Sequence, residues 1–238
     1  MKTVLITGGS SGIGAETAKL FADEGYNVAL TYNTNKKGAD DVVSEIVAKG
    51  GEAVSFQAEL SKEESAKQLV ESVHKEFGQI DVLVNNAGRY IDGDEWNGTE
   101  EIWSQTLAQD LVSVMNVSKY VISIFQKQQS GVMVNVASRL GLSGSHEELA
   151  YGAAKAGVIN ITQGYAKLLA PYGRANSVSP GAVNTGYWLT APKAELEETL
   201  ANKPLGKLIE PLEVANAILY LATDRSASTT GQNIVVNS

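Results

Sequence analysis

The chain has 238 residues, no cysteine, 43% hydrophobic and 19% charged residues, and 27 acids against 19 bases for a net charge of −8. That composition suits a globular protein with a sizeable core, excludes disulfides and thiolate chemistry, and argues against nucleic acid or an anionic membrane as partner. No segment approaches the ~18 apolar residues of a membrane span, and the apolar run in MKTVLITGG is too short for a signal-peptide core, so a cytoplasmic location is expected.

The apolar run KTVLIT (2–7) predicts a first strand, and TGGSSGIG (7–14) follows it directly at the opening of a helical pattern. Glycines there permit a tight turn whose N–H groups approach a pyrophosphate at the positive end of the helix. The same residues match G-x-S-x-G over 8–12, the nucleophile elbow of α/β-hydrolases. That reading needs a histidine partner, and only His74, in a charged helical segment, and His146 exist. It also needs an upstream loop for an oxyanion hole, which a first-strand elbow lacks.

Strands NVALTY (27–32) and EAVSF (52–56) follow, and SKEESAKQLVESVHKEFG (61–78) has helical spacing. Ser61 and Glu64 predict a capping box at its start and Gly78 its end. Further strands are DVLVN (81–85), GVMVNVA (131–137), ANSVS (175–179) and NIVVN (233–237). Several are nearly continuous apolar runs, as expected when helices cover both faces of a parallel sheet. Strand alternating with helix predicts one doubly wound α/β domain over 1–238, of Rossmann type, with about seven parallel strands. In AYGAAKAG (150–157), Tyr151 and Lys155 stand four apart and share a helix face among small residues. A surface decoration and a built site both fit that pair taken alone.

With TGGSSGIG, NNAG (85–88), Ser138, the Tyr151-x-x-x-Lys155 pair and PGAVNT (180–185) in this order, the chain resembles the short-chain dehydrogenase/reductase family. The nearest branch holds the 3-oxoacyl-[carrier protein] reductases and glucose-dehydrogenase-like enzymes. The likeness continues through PLGKLIEPLEVANAILYLATDRSA (204–227) and TGQNIVV (230–236). It implies an NAD(P)-dependent oxidoreductase moving a hydride between nicotinamide and a carbonyl or alcohol. By resemblance Tyr151 is the general acid/base, Lys155 stabilises the phenolate and holds the nicotinamide ribose, and Ser138 hydrogen-bonds the substrate oxygen. Bringing a phenol from about 10 to about 7 requires about 4 kcal/mol. The cofactor contacts implied are Gly8, Ser10, Ser11, Gly12, Ile13, Gly14, Asn33, Thr34, Lys36, Glu59, Leu60, Asn86, Ala87, Gly88, Tyr151, Lys155, Pro180, Gly181, Val183 and Thr185. Members usually assemble as tetramers through the tyrosine helix, so a homotetramer is expected, and no metal.

The chain departs from the family at three places, the mildest being Glu59, which aligns with the family's adenine-contacting aspartate and is expected to keep that contact. NAD-type sites place an acid after the second strand to bind the ribose 2′-hydroxyl; Tyr32 aligns there, followed by Asn33, Thr34, Asn35, Lys36 and Lys37. Two lysines at a helix N-terminus oppose its dipole, which an adjacent 2′-phosphate or plain solvation would relieve. NADP(H) is therefore expected over NAD(H). Asp110 replaces the asparagine that supports a water relay to the lysine, and Asn116 sits too far along the helix to substitute. Asp110 is expected to be ionised beside Lys155, offsetting the ammonium's field at Tyr151.

A substrate lid is expected around 186–205, with Tyr187 and Trp188 over the substrate, and Arg139 and His146 are further candidate substrate contacts. Lys127 and Arg174 are the only bases where the carrier-protein branch often carries docking arginines. The expected partner is thus a small-molecule carbonyl or alcohol, a 3-oxoacyl thioester or small ketone. The alternative is a catalytically weak dinucleotide-binding sensor or partner subunit.

Overall fold

The structure, a computed structural model, describes residues 1–238. Seven strands form one parallel sheet: β1 (Thr3–Ile6), β2 (Asn27–Tyr32), β3 (Ala53–Gln57), β4 (Val82–Asn85), β5 (Gly131–Val136), β6 (Gly173–Pro180) and β7 (Asn233–Val236). Each expected strand occurs, close to its expected ends. The long helices are α1 (Gly12–Asp23), α2 (Lys36–Ala48), α3 (Glu63–Phe77), α4 (Glu100–Leu107), α5 (Ser113–Gln128), α7 (Leu149–Leu169), α8 (Lys193–Ala201) and α9 (Pro211–Ala222), with a single turn α6 at Leu140–Ser143. None is long and apolar enough to cross a membrane.

Strand geometry sends alternate side chains to opposite faces, so a strand buried on both sides is mostly apolar along its whole length. In β1, Val4 and Ile6 join a layer with Phe21 of α1, Ile46 of α2 and Ile218 of α9. Leu5 faces the other way, into a layer with Val70 of α3, Val117 and Phe125 of α5, and Leu169 of α7. All four residues of β1 are fully buried, which explains its unbroken TVLI.

The strand order is β3-β2-β1-β4-β5-β6-β7. The chain winds outward in one direction from β1 and then restarts at β4 in the other. The two sets of connections diverge there and open a crevice at the carboxyl ends of β1 and β4.

One local expectation is corrected. Ser61 and Glu64 form no capping box; α3 starts at Glu63 with Lys62 before it and no side-chain cap. Residues before it are held in a turn, Lys62 N–H to the Glu59 carbonyl, and Asn116 of α5 donates to the carbonyls of Leu60 and Ser61. That anchorage moves the helix start past Ser61 and gives Asn116 a structural task. The other end is as expected, with Gly78 left-handed at φ 75°.

Phe125 is fully buried, and its ring occupies the space that a Cβ on Gly131 would need at the start of β5. Phe125→Ala is expected to cost about 3–5 kcal/mol. Urea denaturation should show a lower midpoint at unchanged slope.

Candidate active site

A cavity of about 840 Å³ runs along the carboxyl ends of the strands, from the first glycine turn to the Tyr151 side chain. At the turn, Gly8 holds φ +67° and a Cβ there would come within 2.9 Å of the Ala87 backbone. Thr7 Oγ1 accepts the N–H groups of Asn86 and Ala87, and Asn86 Nδ2 donates back to the carbonyls of Thr7 and Gly8. These bonds lock the β1 turn to the end of β4. Ser11 makes no capping bond to α1, and the first turn of α1 carries no acid. The positive helix end is therefore uncompensated, and Gly12 and Ile13 present it to the cavity. This is what a pyrophosphate requires, so the residues present fit a dinucleotide.

Along the wall, Asn33, Thr34 and Asn35 follow β2, and Glu59 and Leu60 follow β3. Asn35 caps α2 by accepting from Gly38 N–H at 3.1 Å and donates to the Ser10 carbonyl at 3.3 Å. It thereby couples the α2 entry to the glycine turn.

At the far end, Ser138 follows β5, and its hydroxyl accepts the Leu140 N–H at 3.1 Å. Tyr151 and Lys155 project from one face of α7, with Nζ 5.4 Å from the centre of the phenol ring. Lys155 is buried; its ammonium donates to the Val136 carbonyl at 3.3 Å and lies 3.1 Å from Asp110 Oδ1. Asp110 is fully buried and sits in a π-helical turn, Ala108–Val112, between α4 and α5. Gly88, the last residue of NNAG, passes between: a Cβ there would run into Asp110 Oδ1 and come 3.0 Å from Lys155 Nζ.

Burial pushes the Tyr151 phenol up; Lys155 pulls it down, Asp110 pushes it up again, and the Ser138 hydroxyl pulls it down. Burial also pushes the Asp110 carboxyl up, against the pull of Lys155. For Lys155 burial acts downward, but the charges of Asp110 and Tyr151 outweigh it and raise the ammonium. Lys155 is thus held protonated while Asp110 opposes its effect on the phenol.

A family model described as enoyl-(acyl carrier protein) reductase matches residues 8–238. The chain belongs to the short-chain dehydrogenase/reductase family. It is 38% identical over 237 residues to the 3-oxoacyl-[acyl-carrier-protein] reductase FabG of Thermotoga maritima, covering 99% of this chain and 96% of that one. It is 37% identical, again over 237 residues, to FabG of Staphylococcus epidermidis, covering 99% and 97%. Among solved structures it resembles NAD+-bound xylitol dehydrogenase, with TM-score 0.94, 29% identity, and 99% and 97% of the two chains covered. A substituted actinorhodin polyketide ketoreductase with NADPH gives TM-score 0.91 and 29% identity, with 99% and 95% covered. The protein is accordingly an NAD(P)-dependent oxidoreductase acting on a keto or hydroxyl group.

Most residues singled out for this short-chain dehydrogenase/reductase line the one cavity, including Ser10, Ser11, Pro180, Gly181, Val183, Thr185, Tyr187 and Trp188. Five candidates stand elsewhere. Gly14 is buried behind the turn, where only glycine leaves room for the Gly8 carbonyl. Asp110 lies behind the wall, acting on Lys155. Lys36 is exposed outside the cavity and pairs with Asp40 at 2.6 Å, because an i,i+4 acid is nearer than any ligand position. Arg139 is the N-cap residue before α6, with its N–H donating to the Pro180 carbonyl, and its side chain is not part of the cavity wall. His146 has a side chain 84% exposed, beside Glu147 and outside the cavity. With His74 exposed on α3 and no histidine in the cavity, the nucleophile-elbow reading of Ser10 has no general base.

The structure also adds Arg89, Tyr90, Asp92, Gln105 and Gln109 to the substrate end. Arg89 and Tyr90 directly follow NNAG, a positional signal the sequence did contain; Gln105 and Gln109 carried none.

The Asp110 carboxylate disfavours the phenolate of Tyr151, so its removal lowers the phenol's pKa. Asp110→Asn is expected to move the oxidative pH–rate profile toward lower pH and to raise the rate near neutrality. An unchanged profile would show that the carboxyl is neutral in the working enzyme.

Proposed function

We propose that this protein is an NADP(H)-preferring carbonyl reductase, with Tyr151 as general acid/base, for ketones of the 3-oxoacyl or small free-ketone class. The observation that carries the reading is one cavity holding Ser138, Tyr151 and Lys155 at one end and the uncompensated α1 terminus at the other. When bound, the nicotinamide supplies the hydride. Ser138 orients the carbonyl oxygen, and Tyr151 delivers a proton to that oxygen as it gains charge. Lys155 stabilises the phenolate left behind and binds the nicotinamide ribose, while Asp110 keeps the ammonium charged. Tyr187 and Trp188, packed edge to face at 5.4 Å, close over the substrate as part of the 186–205 lid.

The preference for NADP(H) rests on the wall at the end of β2, where Tyr32 and the following Asn33, Thr34 and Asn35 present no acid to repel a 2′-phosphate. Lys36 would have to leave Asp40 to reach it, and exposed i,i+4 pairs are worth only about 0.3–0.5 kcal/mol. Solved relatives carry both NAD+ and NADPH. Arg174 weighs against carrier docking at its position: its guanidinium is used internally, donating to the carbonyls of Leu221, Thr223 and Thr229 and to Ser226 Oγ. Assembly as a homotetramer belongs to this reading; exposed Val112, Met115 and Leu168 offer apolar surface for a partner copy.

NADPH is expected to bind more tightly than NADH in fluorescence titrations, with Lys36→Glu narrowing the gap; equal dissociation constants would remove the preference. On a panel of acetoacetyl-coenzyme A, ethyl acetoacetate and a short aldehyde, NADPH should be consumed with at least one. Tyr151→Phe should lower kcat by roughly 10²–10⁴-fold at nearly unchanged NADPH affinity, whereas Lys155→Ala should damage both. NADPH binding without turnover of any carbonyl would instead favour the binding-only subunit.

A further inference from the structure

The first turn of α7 needs acceptors for its free N–H groups, and an N-cap side chain ordinarily takes those of the second and third helical residues. Here those residues are Ala150 and Tyr151. The N-cap, Glu148, makes no capping bond, and its carboxylate accepts the Ser145 hydroxyl instead. The acceptor comes from far away in the chain. Asp94, fully buried, accepts the Ala150 N–H on Oδ1 at 2.9 Å and the Tyr151 N–H on Oδ2 at 2.6 Å, across 56 and 57 residues. Its carbonyl accepts the Leu149 N–H at 2.8 Å, and Trp96 N–H donates to the His146 carbonyl at 3.1 Å.

We propose that Asp94 is a positioning residue: it clamps the backbone of Tyr151 itself to the segment that continues from the NNAG wall. An ordinary cap would satisfy the same two donors while leaving α7 free to shift against that wall. A cap supplied by the opposite wall fixes the distance between the phenol and the cavity side formed by Asn86–Gly88. Two oxygens are needed, because an amide side chain offers one acceptor and turns its own N–H₂ toward the second donor. Displacing a reacting group by about 1 Å costs up to roughly 100-fold in rate, so the clamp acts on turnover more than on binding. This rests on Tyr151 being the proton donor.

The test compares Asp94→Ala with Asp94→Ala/Glu148→Ser, in which a serine N-cap returns a local acceptor to the same turn. Melting temperature, NADPH dissociation constant, amide exchange at Ala150 and Tyr151, and kcat and KM are measured. The substrate is acetoacetyl-coenzyme A or ethyl acetoacetate, whichever the parent turns over faster. Asp94→Ala is expected to lose roughly 10- to 100-fold in kcat, with NADPH affinity held within about twofold. The double variant should regain melting temperature and amide protection without regaining kcat. A single variant with parental kcat, or a double variant that recovers kcat together with stability, would reduce Asp94 to a cap and overturn the proposal. Should Asp94→Ala not fold, Asp94→Asn, which keeps one acceptor and the side-chain size, is read against the same outcomes. Tyr151→Phe runs in parallel; if it stays active, the assignment of Tyr151 fails, whatever Asp94 does.

Discussion

An ammonium group inside a protein loses several kcal/mol of hydration and stays charged only if neighbouring groups replace it. Lys155 is such a group, and the elements around it are arranged to meet that demand. The end of β5 turns the Val136 carbonyl toward it, and the π-helical turn between α4 and α5 presents Asp110 at 3.1 Å. A regular helix through this region would carry a different residue at that point; π-turns recur at functional sites because they re-aim a side chain. Gly88, having no side chain, leaves room for both charged groups to pack against its backbone. The loop, the turn and the strand end therefore form one electrostatic unit, whose two charges act in opposite directions on the Tyr151 phenol.

That unit contains Asp110, the position where the family resemblance leads one to expect an asparagine. An asparagine at position 110 would leave the ammonium's field whole at the phenol. The aspartate keeps Lys155 protonated more firmly and weakens its help to Tyr151. The one group thus acts upward on both the Lys155 ammonium and the Tyr151 phenol. Burial of the ion pair adds a second consequence: removing one partner alone leaves a charge stranded, which typically costs about 3–5 kcal/mol.

Surface charge shows the opposite economy. Lys36 and Lys37 pair with Asp40 and Asp41 one turn on, Glu59 pairs with Lys62, and Arg174 is taken up by four internal acceptors. With a net charge of −8, the chain as a whole does not attract an acidic macromolecule. Arg89, which follows NNAG on the cavity wall, forms no ion pair within the chain.

The seven strands, the single doubly wound sheet, the glycine turn and the sharing of one helix face by Tyr151 and Lys155 were legible in the chain, because each rests on local pattern; Ser138 was placed beside them by the family resemblance. Burial on both faces of the sheet writes apolar runs, a tight phosphate turn draws on glycines, and i,i+4 spacing puts Tyr151 and Lys155 on one helix face. The tertiary structure decided what depends on partners distant in sequence. Ser61 lost its cap because Asn116 holds its carbonyl from α5, and Lys36 turned from the cavity toward Asp40. Asp110 stood out as a departure, yet only the packed structure showed it buried against Lys155. Asp94 carried no signal at all, since the amides it accepts lie 56 and 57 residues away. Local pattern specifies elements and the residue types a site needs; which buried donors and charges meet is settled only when the elements pack.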